Sequence, residues 1–295
     1  MILRAASLQL RSQLGDVAGN LDRMAEGVRQ AMQEGCGLAV MPEAVVQGYQ
    51  VQGANVELAL SAQSAADELA QRVGAGSVSV VFGLYEKADG RPFNSSVYAR
   101  LTDGQAEVRH VHRKVFLPTY GVFDEARYCQ SGSSVRATDG LGMLICEDVW
   151  HAVMPALSAL DGADFLAVPV ASPGRGFSGE EPENVGRYRR MLQAAAEEHG
   201  MFVVSACLTG FESGKGLAGA SMMFDPFGRL LAEAPLLQEA MIVADLDLAL
   251  ISAARSKSPL LADLRGKWRL LAAEAGRIAA EGGPDPGERP RGPVA

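Results

Sequence analysis

The sequence predicts a layered α/β protein with mixed sheets, built as one domain. Three observations carry this. Short apolar or β-rich runs are bounded by Gly, Pro or turn residues, as buried strands are. Stretches with helical spacing of apolar residues alternate with some of them. Hairpin-like neighbours are interspersed, which a purely parallel doubly wound sheet would not contain.

The elements follow in order. Ile2–Leu10 reads as a strand. Asp16–Gln33 carries Val17, Leu21, Met24, Val28 and Met32 at helical spacing and stops near Gly35 and Gly37. Leu38–Met41 is a short buried strand running into Pro42–Glu43. Val56–Val73 fits a helix, and Val78–Tyr85 (VSVVFGLY) a strand. Ser95–Leu101 and Ala106–Val115 are strands around the turn signal Asp103–Gly104. Loop residues reach Gly140. The strand Leu141–Ile145 leads to Cys146 and then a helix through about Leu160. Phe165–Val170 is a buried strand ending in Ala171–Ser172–Pro173. Pro182–His199 is a helix with Gly200 as its C′ residue. Met201–Leu208 is a strand. Ala220–Phe224 and Met241–Asp247 are strands around a turn at Pro226–Gly228. Leu260–Glu281 fits a last helix. Residues 1–281 read as one domain. Residues 282–295 (GGPDPGERPRGPVA, from Gly282) read as a flexible Gly/Pro-rich tail with almost nothing apolar to bury.

A net charge of −8 over 295 residues leaves no electrostatic footprint for nucleic acid or anionic membrane. No apolar run is long enough to span a bilayer. Arg4 and Arg11 interrupt the N-terminal apolar stretch, so it does not read as a signal peptide. Cys36, Cys129, Cys146 and Cys207 are scattered with no zinc spacing, which reads as reduced thiols in a cytoplasm. His110 and His112 share a strand face but lack a third ligand at a recognisable spacing. Neither a metal nor a cofactor is expected.

The chemistry concentrates at strand ends. Cys146, in LICEDVW, ends a short apolar strand, where loops carry function. Glu43, in AVMPEAVVQGY, sits among apolar neighbours, an environment suited to a general base. Lys114, in HVHRKVFLP, precedes Val-Phe-Leu-Pro, and a lysine near a thiol favours the thiolate. In open α/β sheets, the C-terminal strand edge is where sites assemble. Ser172, at a further strand end, is a candidate substrate-pocket residue, as are Tyr49 and Tyr120. Glu147 and Asp148 are expected to serve the turn and the next helix's N-terminus, and Trp150 to pack. Arg187, Arg189 and Arg190 read as a solvated helix face, from which one arginine could meet a substrate carboxylate.

The order Glu…Lys…Cys in these contexts resembles the nitrilase superfamily of carbon–nitrogen hydrolases. PEAVVQGY looks like the family's glutamate segment, HRKVFLP its lysine segment and LICEDVW its cysteine segment. GASMMFDPFGRLLAE looks like its GxS…DPxG strand-turn-strand. Within the superfamily, RKVFLPTYGVFDEARYCQSG and ICEDVW resemble the glutaminase domain of glutamine-dependent NAD synthetases. The synthetases' second, ATP-binding domain is not expected here, since no SGGxDS-type loop is present. Cys207 stands where an Asn is common in the family.

The resemblance implies a four-layer α-β-β-α sandwich with two mixed sheets. It implies that Cys146 is the nucleophile, Glu43 the general base, and Lys114 with the Glu147 backbone N–H the oxyanion site. Glu125 matches a second glutamate that positions the lysine or the substrate; the alternative is a loop carboxylate paired with Arg127. The expected activity is hydrolysis of a small carboxamide to acid and ammonia. The alternatives are a nitrilase, an N-carbamoyl amidohydrolase, a glutaminase subunit feeding a separate synthetase, or an inactive binding protein of the same fold. Family members associate through a helical face, so a homodimer or higher homo-oligomer is expected, with His151–Leu160 and the helix before Gly200 as candidate interface elements. The loops Val45–Asn55 and Thr119–Gly132 are expected to set specificity.

Overall fold

The computed structural model describes residues 1–176 and 179–282. β1 (Ile2–Gln9) is followed by α1 (Val17–Gln33) and β2 (Leu38–Val40). The Asp16 side chain caps α1 by accepting the Gly19 N–H, one of the donors a helix start leaves without a partner. The single helix expected over Val56–Val73 is divided into α2 (Asn55–Leu58) and α3 (Ala62–Val73). Ser61 lies extended between them and caps α3 through the Ser64 N–H; a serine hydroxyl serves a helix start better than a helix interior.

β3 (Ser77–Glu86), β4 (Phe93–Thr102) and β5 (Gln105–Arg113) form an antiparallel meander. At its second turn both Asp103 and Gly104 take positive φ, the backbone that matches strand twist in a two-residue hairpin. After the single turn α4 (Glu125–Tyr128) come β6 (Ala137–Thr138) and β7 (Leu141–Met143). β7 stops two residues short of expectation, and a tight 3-10 turn, Cys146–Trp150, precedes α5 (Val153–Leu160) in place of one continuous helix. β8 (Phe165–Val170), α6 (Glu183–His199) and β9 (Phe202–Cys207) follow. Gly200 ends α6 in the left-handed region, as its position predicted.

β10 (Thr209–Glu212) and β11 (Lys215–Ala218) form a separate two-stranded ribbon absent from the sequence reading. β12 (Met222–Phe224) and β13 (Leu230–Glu233) flank the Pro226–Gly228 turn. β14 (Ala240–Asp247) does not return to them but crosses to pair with β1. α7 (Ala249–Lys257), also absent from that reading, and α8 (Leu260–Glu281) complete the chain. The tail expected from residue 282 lies, beyond Gly282, outside the described residues. No helix among the described residues is long and apolar enough to cross a membrane.

The strands make two six-stranded mixed sheets, in the orders β14-β1-β2-β3-β4-β5 and β13-β12-β9-β8-β7-β6. Side-chain alternation along each strand gives every sheet two apolar faces. Ala5, Val40, Val81 and Leu246 of the first sheet meet Met143, Ala167, Phe202 and Met223 of the second. The opposite face of the first sheet, through Ala6, Leu8 and Phe82, packs on Leu21 and Met24 of α1 and Leu69 of α3. That of the second, through Leu166, Val168 and Val203, packs on Met154 of α5 and Leu192 of α6. The result is four layers, α-β-β-α, with the sheets face to face.

Candidate active site

The ends of β2, β5 and β7 deliver Glu43, Lys114 and Cys146 to one edge of the sandwich. Glu43 and Lys114 are both 0% exposed. The Lys114 Nζ donates to Glu43 Oε1 at 2.7 Å and to Glu125 Oε1 at 2.8 Å. Asn94 Nδ2 donates to Glu43 Oε1 at 2.8 Å, and the Ala171 N–H to Glu43 Oε2 at 2.7 Å. A buried carboxylate needs such donors, because its water has been stripped away. Burial works against the charge on Lys114, yet Glu125 and Glu43 together hold its ammonium well above the ordinary lysine value. Burial pushes the Glu125 carboxyl up to about 7, against the pull of Lys114.

Two close backbone approaches make room for these segments. A Cβ at Gly83 would lie 2.3 Å from the Ala44 nitrogen and 2.6 Å from the Glu43 Cα. A Cβ at Gly132 would lie 2.1 Å from the Arg113 carbonyl oxygen, next to Lys114. Only glycine lets both chains pass.

Cys146 is 4% exposed and sits at φ 47°, in the left-handed region. Ala44, beside Glu43, takes φ 48°. Such a backbone is costly for a non-glycine residue and persists where surrounding contacts impose it. Here they turn the chain sharply at Cys146. Burial and Glu43 raise the Cys146 thiol well above its ordinary value, while Lys114 and a hydrogen bond with Tyr188 act to lower it. The Glu147 N–H belongs to the first turn of the 3-10 helix, where donors have no intrahelical acceptor.

The contacts that impose the turn come from Asp148. The sequence reading gave Asp148 to the turn and the next helix's N-terminus; its carboxylate does more than close the turn. Oδ1 accepts the N–H groups of Val115 and Phe116 at 3.0 and 2.9 Å. Oδ2 accepts the Ile145 N–H at 3.1 Å and pairs with His112 Nε2 at 2.9 Å. One buried carboxylate thus ties the lysine segment to the cysteine segment.

The other singled-out residues are placed as follows. Glu125 contacts Lys114 directly and accepts the Tyr49 hydroxyl. Tyr49 is buried, and its N–H, with that of Gln50, donates to the buried carboxylate of Glu212 on the ribbon. Ser172 is buried and accepts Asn184 Nδ2 at 2.9 Å. Cys207 is buried, its thiol pushed up to about 12 by burial. Tyr120 is 42% exposed and donates its hydroxyl to Glu147 at 2.8 Å. Arg189 of the supposed solvated face is paired with Glu181 and Glu233.

A cavity of about 550 Å³ opens beside the cysteine turn, with Tyr120, Glu147, Trp150, Arg175, Arg187 and Arg190 in its wall. Cys146 is not itself in that wall. The Arg187 guanidinium stands 4.1 Å over the Trp150 ring, and that of Arg175 is 5.2 Å from the Phe123 ring. Trp150, for which packing is the favoured reading and pocket-lining the alternative, does both: its ring also meets Tyr188 edge-on at 5.2 Å. The sequence reading missed Asn94, Glu212 and Tyr188 as site residues. A polar Asn94 and Glu212 in strand-forming stretches, and an aromatic at position 188 between arginines, were the available signals.

The chain resembles known proteins along most of its length. The carbon-nitrogen hydrolase family profile matches residues 4–256. A glutamine-dependent NAD(+) synthetase of Thermotoga maritima is 30% identical over 257 residues, covering 83% of this chain and 42% of the relative. The chain thus spans less than half the length of that relative. A carbon-nitrogen hydrolase from Helicobacter pylori G27 superposes with a TM-score of 0.78 at 24% identity, covering 92% of this chain and 99% of the other. An amidase from Nesterenkonia sp. AN1 gives a TM-score of 0.72 at 25% identity, covering 90% of this chain and 98% of the other. With the profile spanning most of the chain and the fold shared with these enzymes, the protein belongs to the carbon-nitrogen hydrolase family.

Proposed function

We propose that the protein hydrolyses a small carboxamide to a carboxylic acid and ammonia through a thioester on Cys146. The observation that carries this is the buried Lys114 ammonium held at 2.7 and 2.8 Å between Glu43 and Glu125, acting electrostatically on the Cys146 sulphur. Glu43 takes the thiol proton as the sulphur attacks the amide carbon. The carbonyl π electrons move to oxygen, and Lys114 with the Glu147 N–H stabilises that oxyanion. Pre-positioned donors of this kind are each worth about 3 kcal/mol of barrier. Glu43 then passes its proton to the departing nitrogen, and ammonia leaves. Water attacks the thioester, Glu43 takes a proton from it, and collapse expels the sulphur and frees the acid. In a Glu-to-Gln mutant of the amidase of Nesterenkonia sp. AN1, acrylamide has added to the active-site cysteine, which is in keeping with this role for Cys146.

Arg175, Arg187 and Arg190 in the cavity wall favour a carboxamide that also carries a carboxylate. Copies of the chain are proposed to associate, as the sequence reading expects. The test is ammonia release from amides, nitriles and N-carbamoyl compounds, glutamine included, by wild type and Cys146→Ala. Ammonia from an amide by wild type alone supports the proposal. Turnover of nitriles only would move the assignment to a nitrilase. Activity appearing only with an added synthetase would make the chain a glutaminase subunit. Equal release by both proteins would refute the thioester.

A further inference from the structure

We infer that Tyr188 is a further catalytic residue, whose hydroxyl donates a hydrogen bond to the Cys146 sulphur and stabilises it as a thiolate. The inference rests on the reading of Cys146 as the nucleophile. Tyr188 Oη lies 2.9 Å from Cys146 Sγ, and both groups are buried. Tyr188 comes from α6, which packs on the second sheet, whereas Glu43 and Lys114 follow strands of the first. It is held there by the Trp150 ring against its edge and by Val185 and Leu192 of the same helix within the apolar core.

The direction of the bond follows from the surroundings. The titratable groups acting on Cys146 are Glu43, Glu125, Lys114 and Tyr188, and Tyr49 feels the sulphur in turn. Burial and the neighbouring Cys146 and Glu43 raise the Tyr188 phenol well above its ordinary value. It therefore keeps its proton and acts as donor when the sulphur is charged. Two of the three Lys114 N–H groups go to carboxylates, and its effect on the sulphur is electrostatic. Tyr188 supplies the direct donor. The same bond assists the last step, in which the C–S bond breaks and the sulphur leaves with the electron pair. No proton passes from Tyr188 to the product; the proton that Cys146 gives up goes to Glu43.

The test needs no substrate. Alkylation of Cys146 by iodoacetamide, followed by mass spectrometry across pH, reads the thiolate directly. Tyr188→Phe removes the hydroxyl and keeps the ring. Its alkylation midpoint is expected to move up by about 0.5–1 pH unit, with the rate at neutral pH falling about three- to tenfold. Replacing Tyr188 by 3-fluorotyrosine, a stronger donor of nearly the same shape, is expected to move the midpoint the other way. That measurement holds even if the phenylalanine variant folds poorly. A midpoint unchanged in the fluorinated protein, or in a Tyr188→Phe protein that melts like wild type, overturns the inference. Failure of wild-type Cys146 to be labelled ahead of Cys36, Cys129 and Cys207 would instead overturn the nucleophile reading on which it rests.

Discussion

Asp148 is the point at which a small change should reach both halves of the site. Asp148→Asn keeps the shape and one oxygen, enough to accept the Val115 and Phe116 N–H groups. It sets an NH2 group where Oδ2 accepted the Ile145 N–H and paired with His112 Nε2, so the amide and the Ile145 N–H meet as two donors in a buried place. Losing one charge-assisted bond and leaving one buried N–H unpartnered costs about 3 kcal/mol. With an unfolding entropy of about 2.1 cal/mol/K per residue over 295 residues, the melting temperature should fall by roughly 5 °C. Turnover should fall much further, by about 100-fold, because the left-handed Cys146 and the lysine segment lose a common anchor and drift by a fraction of an ångström or more. KM should change little, since the cavity wall is untouched. Thermal unfolding by circular dichroism and steady-state ammonia release measure the two quantities. A variant that melts with the wild type and turns over at its rate would refute the claim that this carboxylate couples the two segments.

Lys114→Met should destabilise the fold by about 3–5 kcal/mol, since Glu43 and Glu125 would face each other buried without a cation; chemical denaturation reads this directly. Glu125 has a folded-state pKa of about 7, above its ordinary 4.5, so the native state binds that proton more tightly than the unfolded chain. The associated stability is fully present below about pH 4.5 and is lost as pH rises through about 7; unfolding curves from pH 4 to 8 should show this slope in wild type and not in Glu125→Gln. Gly83→Ala should overpack the Glu43 segment, costing about 1–3 kcal/mol and lowering turnover more than stability, as paired melting and activity measurements would show. Arg187→Ala should raise KM for amides bearing a carboxylate and leave neutral amides unaffected; equal effects on both would remove the anionic-substrate reading.

The sequence by itself determined the layers and singled out three candidate side chains at strand ends. Period-two and helical patterns are local, so β1, β3, α1 and α6 were legible from nearest neighbours along the chain. Glu43, Lys114 and Cys146 were legible because each ends an apolar strand in a distinctive short segment. What sequence reasoning could not supply were relations between residues far apart in the chain. β14 reads as the partner of a nearby hairpin, yet it pairs with β1 at the opposite terminus. Ser61, a good helix cap, divides what periodicity joins. Asp148 looks like a helix-start carboxylate, yet its oxygens are used by residues 112–116, brought against it only when two sheets pack. Tyr188 stands between arginines on an amphipathic helix, and only the docking of α6 on the second sheet sets its hydroxyl against the sulphur. Strand ends and helix faces follow local stereochemistry; which of them meet depends on burial of the shared core, a property of the whole chain.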